Sequence, residues 1–127
     1  MWGLSVLDEF IGKTLVSVGK SFDSIVFKFN DGSSYMMYHS QDCCESVTVD
    51  DIDGDLDDLV GSPILNAEER TFRQTTPIDC KLPEYADSYT WTFYKLETVK
   101  ATVIIRWFGT SNGYYSEEVD IVKLNEG

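Results

Sequence analysis

The residues best suited to chemistry are concentrated in one stretch, residues 38–60. It contains the chain's only histidine, His39, and two of its three cysteines, Cys43 and Cys44. Eight carboxylates lie between Asp42 and Asp58, with no lysine or arginine among them. Apolar segments flank the stretch on both sides, so it is either a binding site or a charged, solvated surface. The sequence leaves both interpretations open.

Calcium is the first chemistry that the stretch suggests, because four aspartates alternate between residues 51 and 57. If Asp51 were the first ligand of an EF-hand loop, Leu56 would stand where the sharp turn needs glycine. Ser62 would stand where the bidentate glutamate belongs. We therefore expect a short helix capped by acidic residues rather than a calcium site, and no metal.

Zinc or thiol chemistry is the second kind of site that the sequence suggests, since His39, Cys43, Cys44 and Cys80 could supply four ligands. Adjacent residues of an extended chain point in opposite directions, however, and cannot easily reach one ion. The nearby acids would also raise a cysteine pKa rather than lower it, which disfavours a thiolate nucleophile. An odd number of cysteines predicts free thiols, no structural disulfide and no thiol enzyme.

A nucleotide-binding pocket is the third kind of site that the sequence suggests. Such a pocket needs aromatic faces that stack on bases and an arginine that pairs with phosphate, and the chain has both. The same residues could instead fill the core. The chain has no phosphate-binding glycine loop, no G-x-S-x-G elbow and no H-E-x-x-H pair, so we expect no enzyme and no cofactor. The residues of this predicted pocket are Tyr38, His39, Gln41, Arg106, Trp107, Asn112, Tyr114 and Tyr115.

The acidic surface is the fourth candidate. The formal net charge of −12 repels phosphate backbones and attracts basic partners, which argues against direct nucleic-acid binding. Carboxylates along an exposed strand and helix could imitate DNA phosphates. The alternative is that the acidity serves only solubility. The partner-binding residues predicted on this surface are Asp50, Asp51, Asp53, Asp55, Asp57 and Asp58.

Hydrophobic periodicity predicts an α+β fold made mainly of antiparallel sheet, with six or seven strands and two short helices. Residues 4–11 have helical spacing, and a second helix is expected after Asp53 or Asp55. Alternating apolar residues predict a hairpin that reverses at residues 30–32. The alternation from Tyr89 onward predicts a C-terminal three-stranded meander with turns near residues 97–100 and 109–113.

The length of 127 residues predicts a single domain spanning residues 1–127. Residues 74–88, with two of the three prolines, are expected to form a long loop. No apolar run approaches the roughly 20 residues that span a bilayer, and the N-terminus carries acids where a signal peptide carries bases. We therefore expect a cytoplasmic protein without a membrane partner.

Four motifs occur in order along the chain: YHSQDCCESV at 38–47, GDLDDLVGSPIL at 54–65, YTWTFYKL at 89–96, and IRWFG at 105–109 with SNGYYSE at 111–117. In these motifs the chain resembles a small uncharacterised domain family met in bacteriophages and prophages. The resemblance covers most of the chain from about Gly12. It includes no shared pattern for residues 73–88, and it carries no known activity.

The resemblance implies a small accessory protein of a phage or mobile element. Combined with the acidity, it predicts a non-enzymatic inhibitor that binds a basic host protein, such as a nuclease defence complex, in the manner of anti-CRISPR proteins. It would act in the cytoplasm of the host bacterium. One alternative is a sponge that sequesters a nucleotide immune signal in the aromatic pocket with Arg106; a pocket shared at a homo-oligomer interface would support it. Another alternative is a metal-binding or thiol enzyme.

Overall fold

The protein consists of two four-stranded antiparallel sheets, seen in a computed structural model that describes residues 6–76 and 87–126. The strand order is β1-β2-β3-β8 in the first sheet and β4-β7-β6-β5 in the second. Two single 3-10 turns, Val6–Phe10 and Leu56–Leu59, accompany them. The strands are β1 (Leu15–Lys20), β2 (Ser24–Phe29), β3 (Ser33–Tyr38), β4 (Ser46–Asp53), β5 (Asn66–Arg73), β6 (Ser88–Glu97), β7 (Thr102–Ser111) and β8 (Asp120–Glu126).

One hydrophobic core unites the two sheets, because alternate residues of the strands point into the same cluster. Phe10 of the first 3-10 turn packs against Phe27, Phe29 and Tyr35, with ring centroids 4.9–5.1 Å apart. Trp107 of β7 is 1% exposed, and its Nε1 lies 3.3 Å from the sulfur of Met37 on β3. The period-two pattern of the sequence is therefore what builds the core.

The prediction of an α+β fold with two helices is wrong in its helical part: the described chain is mostly β. Both predicted helices are single 3-10 turns. The first is too short for α-helical hydrogen bonding before Gly12 turns the chain at a φ of 88°. The second is capped by the Asp55 side chain and ends at Val60, which is extended. The described residues hold eight strands rather than six or seven.

The predicted C-terminal meander is also wrong in part. β6 and β7 form the expected hairpin, paired from Ser88 with Ser111 to Glu97 with Thr102. β8, however, leaves this sheet and pairs with β3 of the other. Residues 112–119, which we call the crossing segment, lie between β7 and β8 and carry the chain across. Local alternation predicts a strand correctly but does not specify its partner.

Other predicted elements agree with the structure. The hairpin reversing at residues 30–32 is formed by β2 and β3, and the strand expected at Val47 to Ile52 is β4.

Of the predicted 74–88 loop, residues 77–86 lie outside the described residues. At the start of this stretch, Gln74 is hydrogen-bonded to Tyr89 across the ends of β5 and β6. No helix in the described part of the chain is long and apolar enough to cross a membrane.

Gly109 of β7 gives a test of how tightly the crossing segment packs. A Cβ added there would lie 2.9 Å from the Glu117 carbonyl oxygen and 3.1 Å from a methyl of Val47. We expect Gly109→Ala to destabilise the protein by about 1–3 kcal/mol, measured by urea unfolding, because backbone must move. The matched control is Gly19→Ala in β1, where nothing lies within 4 Å; it should change stability by less than about 0.5 kcal/mol. Equal effects at both glycines would contradict the close packing.

Candidate functional site: an acidic edge and a polar groove

His39 and Glu45 form a buried pair where the chain passes between the sheets. Their side chains are 3% and 0% exposed, and His39 Nε2 lies 2.7 Å from Glu45 Oε2. His39 Nδ1 lies 2.6 Å from the Glu118 carbonyl oxygen. A carbonyl and a carboxylate both only accept, so the geometry requires the imidazole to donate from both nitrogens. His39 is therefore a charged structural link rather than part of an open pocket.

The Glu45 carboxylate accepts three hydrogen bonds, which involve both of its oxygens. It accepts the backbone N–H of Cys43 at 2.9 Å and that of Asp42 at 2.9 Å, in addition to His39. The Cys43 N–H lowers the pKa of Glu45 most, and the Asp42 N–H and His39 lower it further. Burial raises the pKa, but the hydrogen bonds outweigh it and bring the pKa to about 2. Gln41 closes the turn by donating to the Glu45 carbonyl at 2.6 Å. This buried carboxylate therefore stabilises its turn.

Cys43 and Cys44, in the same turn, form a disulfide with an S–S distance of 2.06 Å. The prediction of free thiols without a structural disulfide is therefore wrong for this pair. It was based on the odd number of cysteines and on a reducing cytosol, whereas the two adjacent cysteines lie in an exposed bend before β4 and bond to each other there. Cys80 lies outside the described residues. Within residues 6–76 and 87–126, no three His, Cys, Asp or Glu side chains converge as metal ligands would.

The six predicted partner-binding aspartates lie together along one edge of the second sheet. β4 is an edge strand of that sheet, and the second 3-10 turn follows it directly. A register shift between Val49 and Asp51 marks a bulge, so that Asp50 and Asp51 both approach the same guanidinium, that of Arg106. All six are exposed. We call this set the acidic edge: Asp50, Asp51, Asp53, Asp55, Asp57 and Asp58.

Three members of the acidic edge have internal partners. Asp50 accepts from Arg106 at 2.7 Å, and Asp51 is 3.9 Å from the same side chain. The Arg106 guanidinium also lies over the Trp91 ring, 5.6 Å from its centroid. Asp55 accepts the N–H of Asp57 and so caps the 3-10 turn. The remaining carboxylates make no ion pair within the described chain and point to solvent.

The predicted ligand pocket does not assemble. Arg106 and Trp107 are neighbours on β7 and point to opposite faces of the sheet, Trp107 into the core and Arg106 outward. His39 and Gln41 serve the Glu45 turn, as described above. Asn112 accepts the N–H of Tyr114, which is 85% exposed and in ring contact with Tyr115. Tyr38 ends β3 and is half-buried.

A different cavity, of about 180 Å³, lies on the inner face of β5 and β6, and we call it the polar groove. Three cross-strand pairs form its floor: Glu69 with Tyr94, Thr71 with Thr92, and Arg73 with Thr90. Further along the same face, Ala67 and Leu96 belong to the core. The inner face therefore changes from apolar to polar at Tyr94.

The crossing segment closes the polar groove on one side. Glu118 pairs with Arg73 at 2.9 Å, and the buried Glu117 carboxylate accepts the hydroxyls of Thr90 at 2.7 Å and Ser111. The groove shares Arg73, Thr90 and Glu118 with a wider cavity of about 400 Å³ beside Tyr115. Sequence reasoning missed this groove, although polar residues at alternate positions of β5 and β6 were a signal for it.

The fold and these features define a two-sheet β protein with an acidic edge and a polar groove. The chain belongs to the DUF7448 family, described as a domain of unknown function, whose model matches residues 8–121. Neither a curated protein nor a solved structure matches the chain.

The Glu45 pair predicts a specific pH dependence of stability. Because the folded-state pKa of about 2 lies below the ordinary value of 4.5, Glu45 stabilises the fold above about pH 4.5, and this contribution is lost as the pH falls towards 2. We expect Glu45→Gln to be less stable than the native protein at pH 7, with a difference that shrinks between pH 4.5 and 2, measured by urea unfolding.

The matched control for Glu45 is Asp42→Asn, which removes an exposed carboxylate from the same turn. It should leave the pH dependence of unfolding close to that of the native protein. A Glu45→Gln protein as stable as the native one at pH 7 would show that the pair does not support the fold.

Proposed function

We propose that this protein is a non-enzymatic accessory protein of a phage or prophage that counters a host defence system by stoichiometric binding. In the most concrete form of the proposal, the acidic edge occupies the basic nucleic-acid channel of a host nuclease complex. The resemblance of the four motifs to a phage and prophage family supports this setting. The protein would then act in the cytoplasm of the infected cell.

The observation that carries the proposal is the exposure of six aspartates along one edge, in a chain with a net charge of −12. Asp51 and Asp53 alternate on β4, so their backbones are about 6.7 Å apart. A DNA strand carries one phosphate per roughly 3.4 Å of helix axis, so these two carboxylates have about half the charge density of one DNA strand, and the other aspartates of the acidic edge add to it. Complementary charge of this kind accelerates association with a basic partner.

The state of the buried carboxylates supports binding rather than catalysis. Glu45 and Glu117 are the acids buried in the described chain, and internal donors occupy both. A general acid or base needs access to a substrate proton, which neither carboxylate has. The exposed aspartates, in contrast, are accessible to a partner, and two of them, Asp55 and Asp57, line a surface cavity of about 380 Å³ together with Lys20.

The nucleotide-sponge alternative has less support. Its pocket needed Arg106 beside Trp107 and the tyrosines, yet Arg106 is engaged by Asp50 and Trp107 is buried in the core. We therefore do not propose it as a second function.

The proposal is tested by neutralising the part of the acidic edge that has no structural task. Asp53→Asn, Asp57→Asn and Asp58→Asn together leave the Asp50 pair with Arg106 and the Asp55 cap intact. The native protein and this triple variant are expressed in bacteria that carry defined nuclease-based defence systems, and phage plaques are counted. We expect the native protein to restore plaquing against a susceptible system and the triple variant to lose most of this effect, because attraction to a basic channel depends on these charges.

The matched control neutralises three exposed acids elsewhere: Asp23→Asn, Glu68→Gln and Asp87→Asn. It has the same net charge as the edge variant, so it separates the position of the charge from its amount. Full activity of the edge variant would refute the acidic edge as the contact surface. The same loss in both variants would attribute the effect to net charge alone.

A further inference from the structure

The polar groove contains a buried hydroxyl group without a partner. Tyr94 lines the groove and is 0% exposed, and no group satisfies hydrogen-bond geometry with its Oη in the described structure. Burial and the nearby Glu69 carboxylate on the facing strand raise the pKa of this hydroxyl, so the two groups share one polar site without a well-formed bond between them. Buried polar groups are nearly always hydrogen-bonded, so an unsatisfied one calls for a missing partner. The cavity of about 180 Å³ is many times larger than the roughly 15 Å³ that one water needs. Its size fits a small molecule or an inserted side chain.

The charges around the groove favour a cation. Arg73 and Glu118 neutralise each other at 2.9 Å, whereas no cation of the described chain pairs with Glu69. Glu69 stands directly opposite Tyr94 on the neighbouring strand. The net charge of −12 further raises the local concentration of cations and disfavours an anionic ligand.

The number of acceptors favours one kind of cation. Tyr94 and Thr92 are alternate residues of β6, so both lie on its inner face. Glu69 of β5 is directly opposite Tyr94 and diagonal to Thr92. A hydroxyl accepts as well as donates, so these side chains provide three acceptors: a carboxylate, an alcohol and a phenol. A primary ammonium group has three donors and no acceptor, which matches this set.

We propose that the polar groove is a binding site for a primary aliphatic ammonium group, held by Glu69, Thr92 and Tyr94. Val119 at the rim of the groove offers an apolar surface to the alkyl chain of the ligand. The ammonium group belongs to a free amine or to a lysine side chain, and both present the same chemistry. The site does not depend on the acidic edge, which lies on the opposite edge strand of the sheet.

The test is calorimetric titration of the full-length protein with n-pentylamine, 1-pentanol and Nα-acetyl-lysine methylamide at about 0.15 M salt, where weak surface attraction is screened. We expect saturable binding of pentylamine and none of pentanol, because only the ammonium supplies three donors. Binding of the capped lysine as well would assign the site to a lysine side chain, and binding of pentylamine alone would assign it to a free amine. No saturable binding of either amine, or equal binding of pentanol, would overturn the proposal.

Adjacent glutamates of β5 provide a matched pair of variants. Glu69 faces the groove, whereas Glu68 lines a cavity on the other face of the same strand. Glu69→Gln should weaken pentylamine binding about tenfold, the effect of losing a hydrogen bond to a charged group, and Glu68→Gln should leave it unchanged. Equal weakening by both changes would mean nonspecific attraction to an acidic protein and would overturn the site.

Tyr94→Phe examines the buried hydroxyl itself. Because the hydroxyl has no partner in the described structure, its removal should not reduce the free energy of unfolding. It should nevertheless weaken pentylamine binding, since one of three acceptors is lost. Unchanged affinity in a folded Tyr94→Phe protein would overturn the three-acceptor site.

Discussion

The structure depends on one buried charge pair placed where the two sheets are joined. His39 follows β3 of the first sheet, Glu45 precedes β4 of the second, and the Glu118 carbonyl belongs to the crossing segment that returns to the first. One imidazole thus bonds to both connections between the sheets. A buried ion pair is costly unless its hydrogen bonds are complete. Here the Cys43 and Asp42 amides also donate to Glu45, so both oxygens of the buried carboxylate are hydrogen-bonded.

The acidic edge follows from the same architecture. β4 is an edge strand, and an unprotected edge would offer unpaired backbone groups to another chain. Charges on such a strand prevent this pairing, so the acidic edge has a structural benefit whether or not it binds a partner. Asp50 and Asp51 also share Arg106 through the bulge. Function would require only that the remaining carboxylates stay accessible, as Asp53, Asp57 and Asp58 are.

The site was only partly predictable from sequence, for a geometric reason. Asp50 to Asp58 are close in sequence, so local structure alone brings them together. The aromatic pocket combined residues far apart, and there the alternation of a strand separates Arg106 from Trp107. Glu45 and Tyr94 acquire their importance only through burial. Polar residues at alternate positions of β5 and β6, such as Thr71 and Thr92, were the available signal for the polar groove. The same pattern, however, is equally typical of a strand face exposed to solvent.

The sequence by itself determined the strands, the main turns and the apolar face of each strand, because side-chain alternation and turn chemistry act over a few residues. It also placed the six aspartates of the acidic edge close together, whereas the position of β4 at the edge of its sheet depends on tertiary pairing. The tertiary structure decided that β8 pairs with β3 instead of β7, that the two short helical segments are 3-10 turns, and that Cys43 meets Cys44 in a bend. It also decided that His39 meets Glu45. These outcomes depend on which segments come together in space, and neither propensity nor spacing specifies that.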